Sequence, residues 1–172
     1  MTTAHDLDPV AALYLHQVKL VEDDVLGLAR AMPADRYDFA PGLGTFSGAR
    51  TFGEQVRHLA TMIYMTAAIV LEEKSPFGPG AGDNGPALTS KPEILEYLQA
   101  SLAYARRAMS SLTEENQLDP IATYFGPMAR SAVAAGIAYH SFNHYGQMVV
   151  YARMNDIVPP SSRPSSPAAI SR

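Results

Sequence analysis

Residues Ser131–Asn155, SAVAAGIAYHSFNHYGQMVVYARMN, decide the fold and carry the chemistry. The stretch reads as one long helix. Val133, Ile137, Met148 and Tyr151 recur at helical spacing, and the same face carries His140 and His144. Two imidazoles four residues apart lie one turn apart on one side of a helix. Here that side is apolar and points inward, where an unpaired imidazole costs roughly 1–3 kcal/mol. A metal ion is the sharpest candidate for satisfying both.

Working outward, three further helices are expected. Asp8-Pro9 is a helix start, with Asp as N-cap and Pro at the first position. Tyr14, Val18, Val21, Val25, Leu28 and Met32 then alternate in steps of four and three, one buried stripe ending at Met32-Pro33. Thr51 and Glu54 form a capping box opening a second helix that runs to about Lys74, before Ser75-Pro76. Its main stripe is Phe52, Val56, Leu59, Ile63, Ala67 and Val70. Beside it lies a second row of Glu54, His58, Met62, Met65 and Ile69, which puts His58 at the edge of a core. Ser90-Lys91-Pro92-Glu93 is another capping box, followed by the seam Leu95, Leu98, Leu102, Ala105, Met109 and Leu112.

The connections at 33–50 and 113–127 exceed what a tight helix–helix turn needs. Residues 75–89 read as a flexible loop by composition. Gly126-Pro127 reads as the entry to the last helix, and Asn155 as the left-handed residue closing it. The expected architecture is all-α: a four-helix bundle with long crossover connections over residues 1–160, and a flexible polar tail over 161–172.

A net charge of −4 gives no electrostatic reason to expect nucleic acid as a partner. The absence of cysteine removes disulfides, thiolate nucleophiles and Cys-ligated metal sites. The N-terminus lacks the pattern of a signal peptide, and the most apolar run, Thr61–Leu71, is too short to span a bilayer. A cytoplasmic protein that does not engage the membrane is the default expectation.

Three of the five histidines fall on inner faces: His58, His140 and His144. His16 reads as a surface or boundary residue, and His5 precedes the first helix. A pair at i,i+4 plus one histidine from a neighbouring helix gives three nitrogen ligands. Three protein ligands leave a position for water or substrate, as in catalytic metal sites. The competing reading is three core histidines hydrogen-bonded to backbone or side chains. It fits poorly, because two stacked imidazoles on an apolar stripe would compete for few acceptors. Glu54 could ligate or orient His58, but the capping box already employs it. Gln147 could hydrogen-bond a ligand or a metal-bound water, or be a polar residue at the stripe's edge. Tyr151 could line the pocket or simply pack. No residue stands out as a catalytic base.

These residues resemble a known family. The features are R-H-L-A at Arg57–Ala60, H-x-x-x-H-x-G-Q at His140–Gln147, Tyr151-x-Arg153, Val158-Pro-Pro and Y-D-F-A-P-G-L-G-T-F at Tyr37–Phe46. Together they look like the DinB-like superfamily of metal-binding four-helix bundles, from about Val10 to Pro160. Its relatives include thiol-dependent S-transferases and the mycothiol-dependent maleylpyruvate isomerase. The resemblance implies that His58, His140 and His144 are a metal triad. It also implies a divalent ion such as zinc or nickel, with iron or manganese as alternatives, an unusual helix order and often a homodimer. With no cysteine in the chain, any thiol must come from a low-molecular-weight cofactor. The leading expectation is a metal-dependent enzyme activating such a thiol, or water, against a small-molecule substrate. A metal-dependent hydrolase and a non-enzymatic metal- or ligand-binding protein are the alternatives.

Overall fold

The computed structural model describes residues 7–42, 47–77 and 82–163. The first helical arm is α1 (Pro9–Val21), a π-helical turn over Glu22–Leu26 and α2 (Gly27–Ala31); the other arms are α3 (Phe52–Val70), α4 (Lys91–Met109) and α5 (Arg130–Met154). His5 lies outside the described residues, and His16 is exposed on α1.

The expected stripes form the core. Val18, Val21, Val25, Leu28 and Met32 from the first arm are buried, as is the whole main stripe of α3. On α4 the seam shifts slightly. Ile94 is buried where Leu95 was expected, and Leu95 is half-buried beside it. α3 is the central helix, packing on both α4 and α5, while α1 packs on α4 and α5. Around the bundle the order is therefore α1, α4, α3, α5. Sequential helices α3 and α4 are neighbours, but the chain crosses a diagonal from the first arm to α3 and again from α4 to α5. Crossing a diagonal takes more chain than turning to a neighbour, which explains the two long connections.

The first crossover is tied down by backbone accounting. Phe39 O and Tyr37 O accept from the N–H groups of Phe52 and Gly53, donors that a helix start otherwise leaves unpaired. Tyr37 is buried and donates its hydroxyl to Ala29 O at 2.7 Å. A Cβ at Gly53 would sit 3.1 Å from the Tyr37 ring and 3.3 Å from its carbonyl oxygen, so a larger residue would push the crossover outward by a few tenths of an ångström. Lys91 donates to Arg30 O and Met32 O, capping the end of the first arm from α4.

Four expectations need correction. α3 stops at Val70 rather than Lys74, because Glu72 adopts φ 54° and the N–H groups of Glu72 and Glu73 turn back onto Ile69 O and Ala68 O. α5 is closed the same way by Asp156 at φ 60°, not by Asn155. Asp156 N–H bonds Arg153 O and Ile157 N–H bonds Ala152 O. A two-residue antiparallel ladder, β1 (Pro120–Ile121) with β2 (Met128–Ala129), occupies the second crossover, so Gly126-Pro127 sits at a hairpin tip and not at a helix entry. α5 has no side-chain cap; its first N–H groups bond Asp119 O and Gln117 O of that crossover. Finally, residues 161–162, expected within the flexible tail, are held against the bundle. Pro160–Ser162 form a 3₁₀ turn, and Ser161 pairs with the Tyr145 hydroxyl at 2.6 Å. The remainder of that tail, 164–172, lies outside the described residues.

A left-handed conformation disfavours any residue with a Cβ. Asp156→Gly should therefore stabilise the protein by roughly 0.5–1 kcal/mol. Urea unfolding checks this, and a lower midpoint for the variant would contradict the cap assignment.

Candidate metal centre

The bundle brings together one position of α3 and two of α5. His58 and His144 are 4% and 7% exposed, and His140 is half-buried. One ligand atom from each ring lies within 4.8 Å of the other two. The Nε2 atoms of His58 and His140 are 3.2 Å apart, and both rings sit 4.7 Å from that of His144 between centroids. Zn–N bonds of about 2.0–2.1 Å at a tetrahedral angle put nitrogens roughly 3.3 Å apart.

The hydrogen bonds decide which nitrogens face inward. His58 Nδ1 lies 2.7 Å from Asp83 O, and His144 Nδ1 lies 2.6 Å from Gln55 Oε1. A backbone carbonyl and an amide oxygen accept only, so both Nδ1 atoms carry the proton. Both Nε2 atoms then present lone pairs, and His58 aims its own at His140 Nε2. At 3.2 Å those two nitrogens are joined either by a His140 Nε2–H proton or by a cation between them. In His58 and His144 the outward nitrogen is held by an oxygen, the arrangement used for metal-ligating imidazoles, so the residues fit a divalent ion.

The electrostatics agree. Burial is the main cause lowering the pKa of all three imidazoles, and neighbouring imidazoles and Arg50 lower His140 and His144 further. Asp83 opposes the shift at His58 without reversing it. His144 falls to about 4. An ordinary imidazole protonates near ~6.5, so these three stay in the neutral, ligating form to lower pH than usual.

The remaining expected residues are placed as follows. Glu54 closes the capping box: its carboxylate accepts from Thr51 N–H at 2.8 Å, and it is not part of the histidine cluster. Gln147 accepts from Gln55 Nε2 at 3.0 Å, and so stands one bond behind His144 rather than at the ring. Tyr151 is buried, packs edge-on against Phe39 and donates to Arg50 O at 3.1 Å.

Sequence reasoning missed Gln55, Asp83 and Arg50. Gln55 is 3% exposed, and a signal existed: it lies between Phe52 and Leu59 at i−3 and i+4, in an otherwise apolar row. Arg50 bonds Asp83 Oδ2 at 2.8 Å and Asn84 Oδ1 at 3.1 Å, holding the loop whose carbonyl braces His58. That loop turns at Gly85, φ 60°, where a Cβ would meet Thr61 Oγ1 at 2.2 Å and Tyr97 Oη at 2.8 Å. The part of 75–89 beside the site is therefore tied to the bundle, contrary to its flexible composition.

Gly85→Ala should destabilise the protein by about 2 kcal/mol or more, through both overlap and left-handed strain. Gln55→Leu should lower zinc affinity about 10- to 100-fold by releasing His144, with the fold retained by circular dichroism. Unchanged affinity would remove Gln55 from the site. pH gives a further check on the metal-free protein. An imidazole that titrates near 6.5 unfolded and about 4 folded makes the unfolded state bind more protons between those values. Stability should thus fall as pH drops from 6.5 towards 4, and the slope should flatten in His144→Phe, as read by urea unfolding at several pH values.

Comparison with known proteins places this geometry in a family. A family model described as the DinB superfamily matches residues 17–148. A DinB-like protein from Bacillus cereus ATCC 10987 superposes with TM-score 0.63 at 21% identity, over 86% of this chain and 93% of that one. A DinB-like protein from Bacillus subtilis superposes with TM-score 0.64 at 16% identity, over 92% of this chain and all of that one (100%). No curated protein matches. The structural likenesses show the fold, and the family match spans most of the chain: this protein belongs to the DinB superfamily.

Proposed function

We propose that the protein is a metal-dependent enzyme in which His58, His140 and His144 hold one divalent ion that activates a low-molecular-weight thiol, or water, for attack on a small electrophilic substrate. The observation that supports this most is the pair of Nδ1–H bonds to Asp83 O and Gln55 Oε1, which leave the Nε2 lone pairs of His58 and His144 free within a cluster of three imidazoles. When bound, such an ion lowers the pKa of a coordinated thiol or water towards neutrality. The chain's own part is to keep the imidazoles unprotonated by burial, to fix their tautomers and to orient them. Three protein ligands leave coordination open to a fourth group. With no cysteine anywhere in the sequence, a thiol nucleophile has to be a diffusible one.

The same reading makes the protein a homodimer. Phe142, Val150 and Met154 are exposed on one side of α5, and Leu13 and Leu20 are exposed on the adjacent α1. Exposed apolar side chains on these two neighbouring helices fit a self-complementary contact. In sedimentation velocity, Val150→Glu should shift a dimer to a monomer; a monomeric wild type would contradict the contact.

Metal stoichiometry and thiol dependence test the main proposal. Wild type reconstituted with zinc or nickel should retain about one ion per chain, and His58→Ala or His140→Ala should lose it. Conjugation of a chromogenic electrophile should require both the metal and an added thiol. Hydrolysis of an activated ester with no thiol present would instead favour water as the nucleophile. A wild type that holds no metal would end the proposal.

A further inference from the structure

Beside the triad, α3, α5 and the hairpin tip line a half-open cavity of about 200 Å³. Met62, Met65 and Ile69 line it from α3, Phe125 from the tip, and Gly136 and His140 from α5. Among its described lining residues there is no Asp, Glu, Lys or Arg. Its wall ends at a triad histidine, so an occupant lies next to whatever that histidine ligates.

Gly136 lines this space without putting a side chain into it. It is a buried glycine inside a 25-residue helix, where Ala is favoured by roughly 1 kcal/mol. Its backbone is not left-handed, and a Cβ would meet only ordinary contacts: Tyr139 Oη at 3.6 Å and Thr66 Cγ2 at 3.7 Å. Neither conformation nor close packing requires glycine here. What a larger side chain would do is fill the cavity.

We infer that this cavity is the substrate subsite of the metal centre and that it takes an uncharged aromatic or short alkyl group, with Gly136 setting how large that group can be. The inference rests on the triad binding a metal. The volume suits one ring, since an apolar cavity of roughly 150 Å³ holds benzene. A carboxylate or phosphate in the cavity would find no cation on its wall.

Cobalt(II)-loaded protein titrated with imidazole and with 4-phenylimidazole tests this, the visible spectrum of the cobalt reporting binding. Burying the phenyl group should tighten binding at least about tenfold. A 4-(imidazol-4-yl)benzoate probe should lose that gain. Gly136→Leu should bring the ratio of the two affinities to about one, with imidazole affinity and cobalt stoichiometry unchanged. Met65→Glu, on the opposite wall, serves if leucine at 136 impairs folding. Equal affinities in a protein holding one cobalt, or a preference surviving both variants, overturns the inference. Toluene line-broadening on metal-free protein separates the two claims. Ring binding abolished by Gly136→Leu without cobalt uptake upholds the cavity and defeats the metal reading. Cobalt uptake without ring selectivity does the reverse, and neither signal defeats both. If Gly136→Leu dissociates a dimer in sedimentation, the cavity seats a second copy of the chain and the inference falls.

Discussion

The site depends on where two protons sit. Asp83 O and Gln55 Oε1 accept from the Nδ1–H groups of His58 and His144, and those two bonds leave both Nε2 atoms with lone pairs inside the three-histidine cluster. Had either acceptor been a donor, the ring would present a proton inward and the cluster would be an ordinary buried hydrogen-bonded group. Burial reinforces the choice by keeping the imidazoles neutral, as ligation requires. The cost is borne by the fold, since these rings cannot gain stability from charge as pH falls.

Each acceptor is itself held from a distance. Gln55 is braced by Gln147 of α5, so α3 and α5 are joined at the site by amide bonds as well as by the histidines. Asp83 is held by Arg50, whose own carbonyl accepts from Tyr151 at the far end of α5. The diagonal crossovers explain how this is possible. They bring the start of α3 beside the middle of α5, while the loop between α3 and α4 folds back over His58. Gly85 permits that approach by leaving room for the Thr61 and Tyr97 hydroxyls.

Much of this was legible in the sequence because it follows from period and capping. The stripes of the first arm and of α3, both capping boxes and the inward pair His140 and His144 depend on local spacing alone, and the structure shows them. The row holding His58 between Glu54 and Met62 placed that histidine at the edge of the core. What was hidden depends on partners remote in the chain. Gln55 is fixed by residues about ninety positions on, and Asp83 acts through its backbone, which any residue type supplies. The ends of α3 and α5 were misplaced because Glu72 and Asp156 take the left-handed conformation that composition assigns to glycine or asparagine. A two-residue ladder such as β1–β2 is too short to show a period at all.

Anomalous diffraction at the metal's absorption edge, on crystals of the zinc- or nickel-reconstituted protein, tests the central claim most directly. The account predicts a single strong anomalous peak within about 2.0–2.2 Å of the Nε2 atoms of His58, His140 and His144, with the Nδ1 bonds to Asp83 and Gln55 intact. A peak elsewhere, ligation through Nδ1, or three histidines with no peak between them in metal-replete crystals would contradict it.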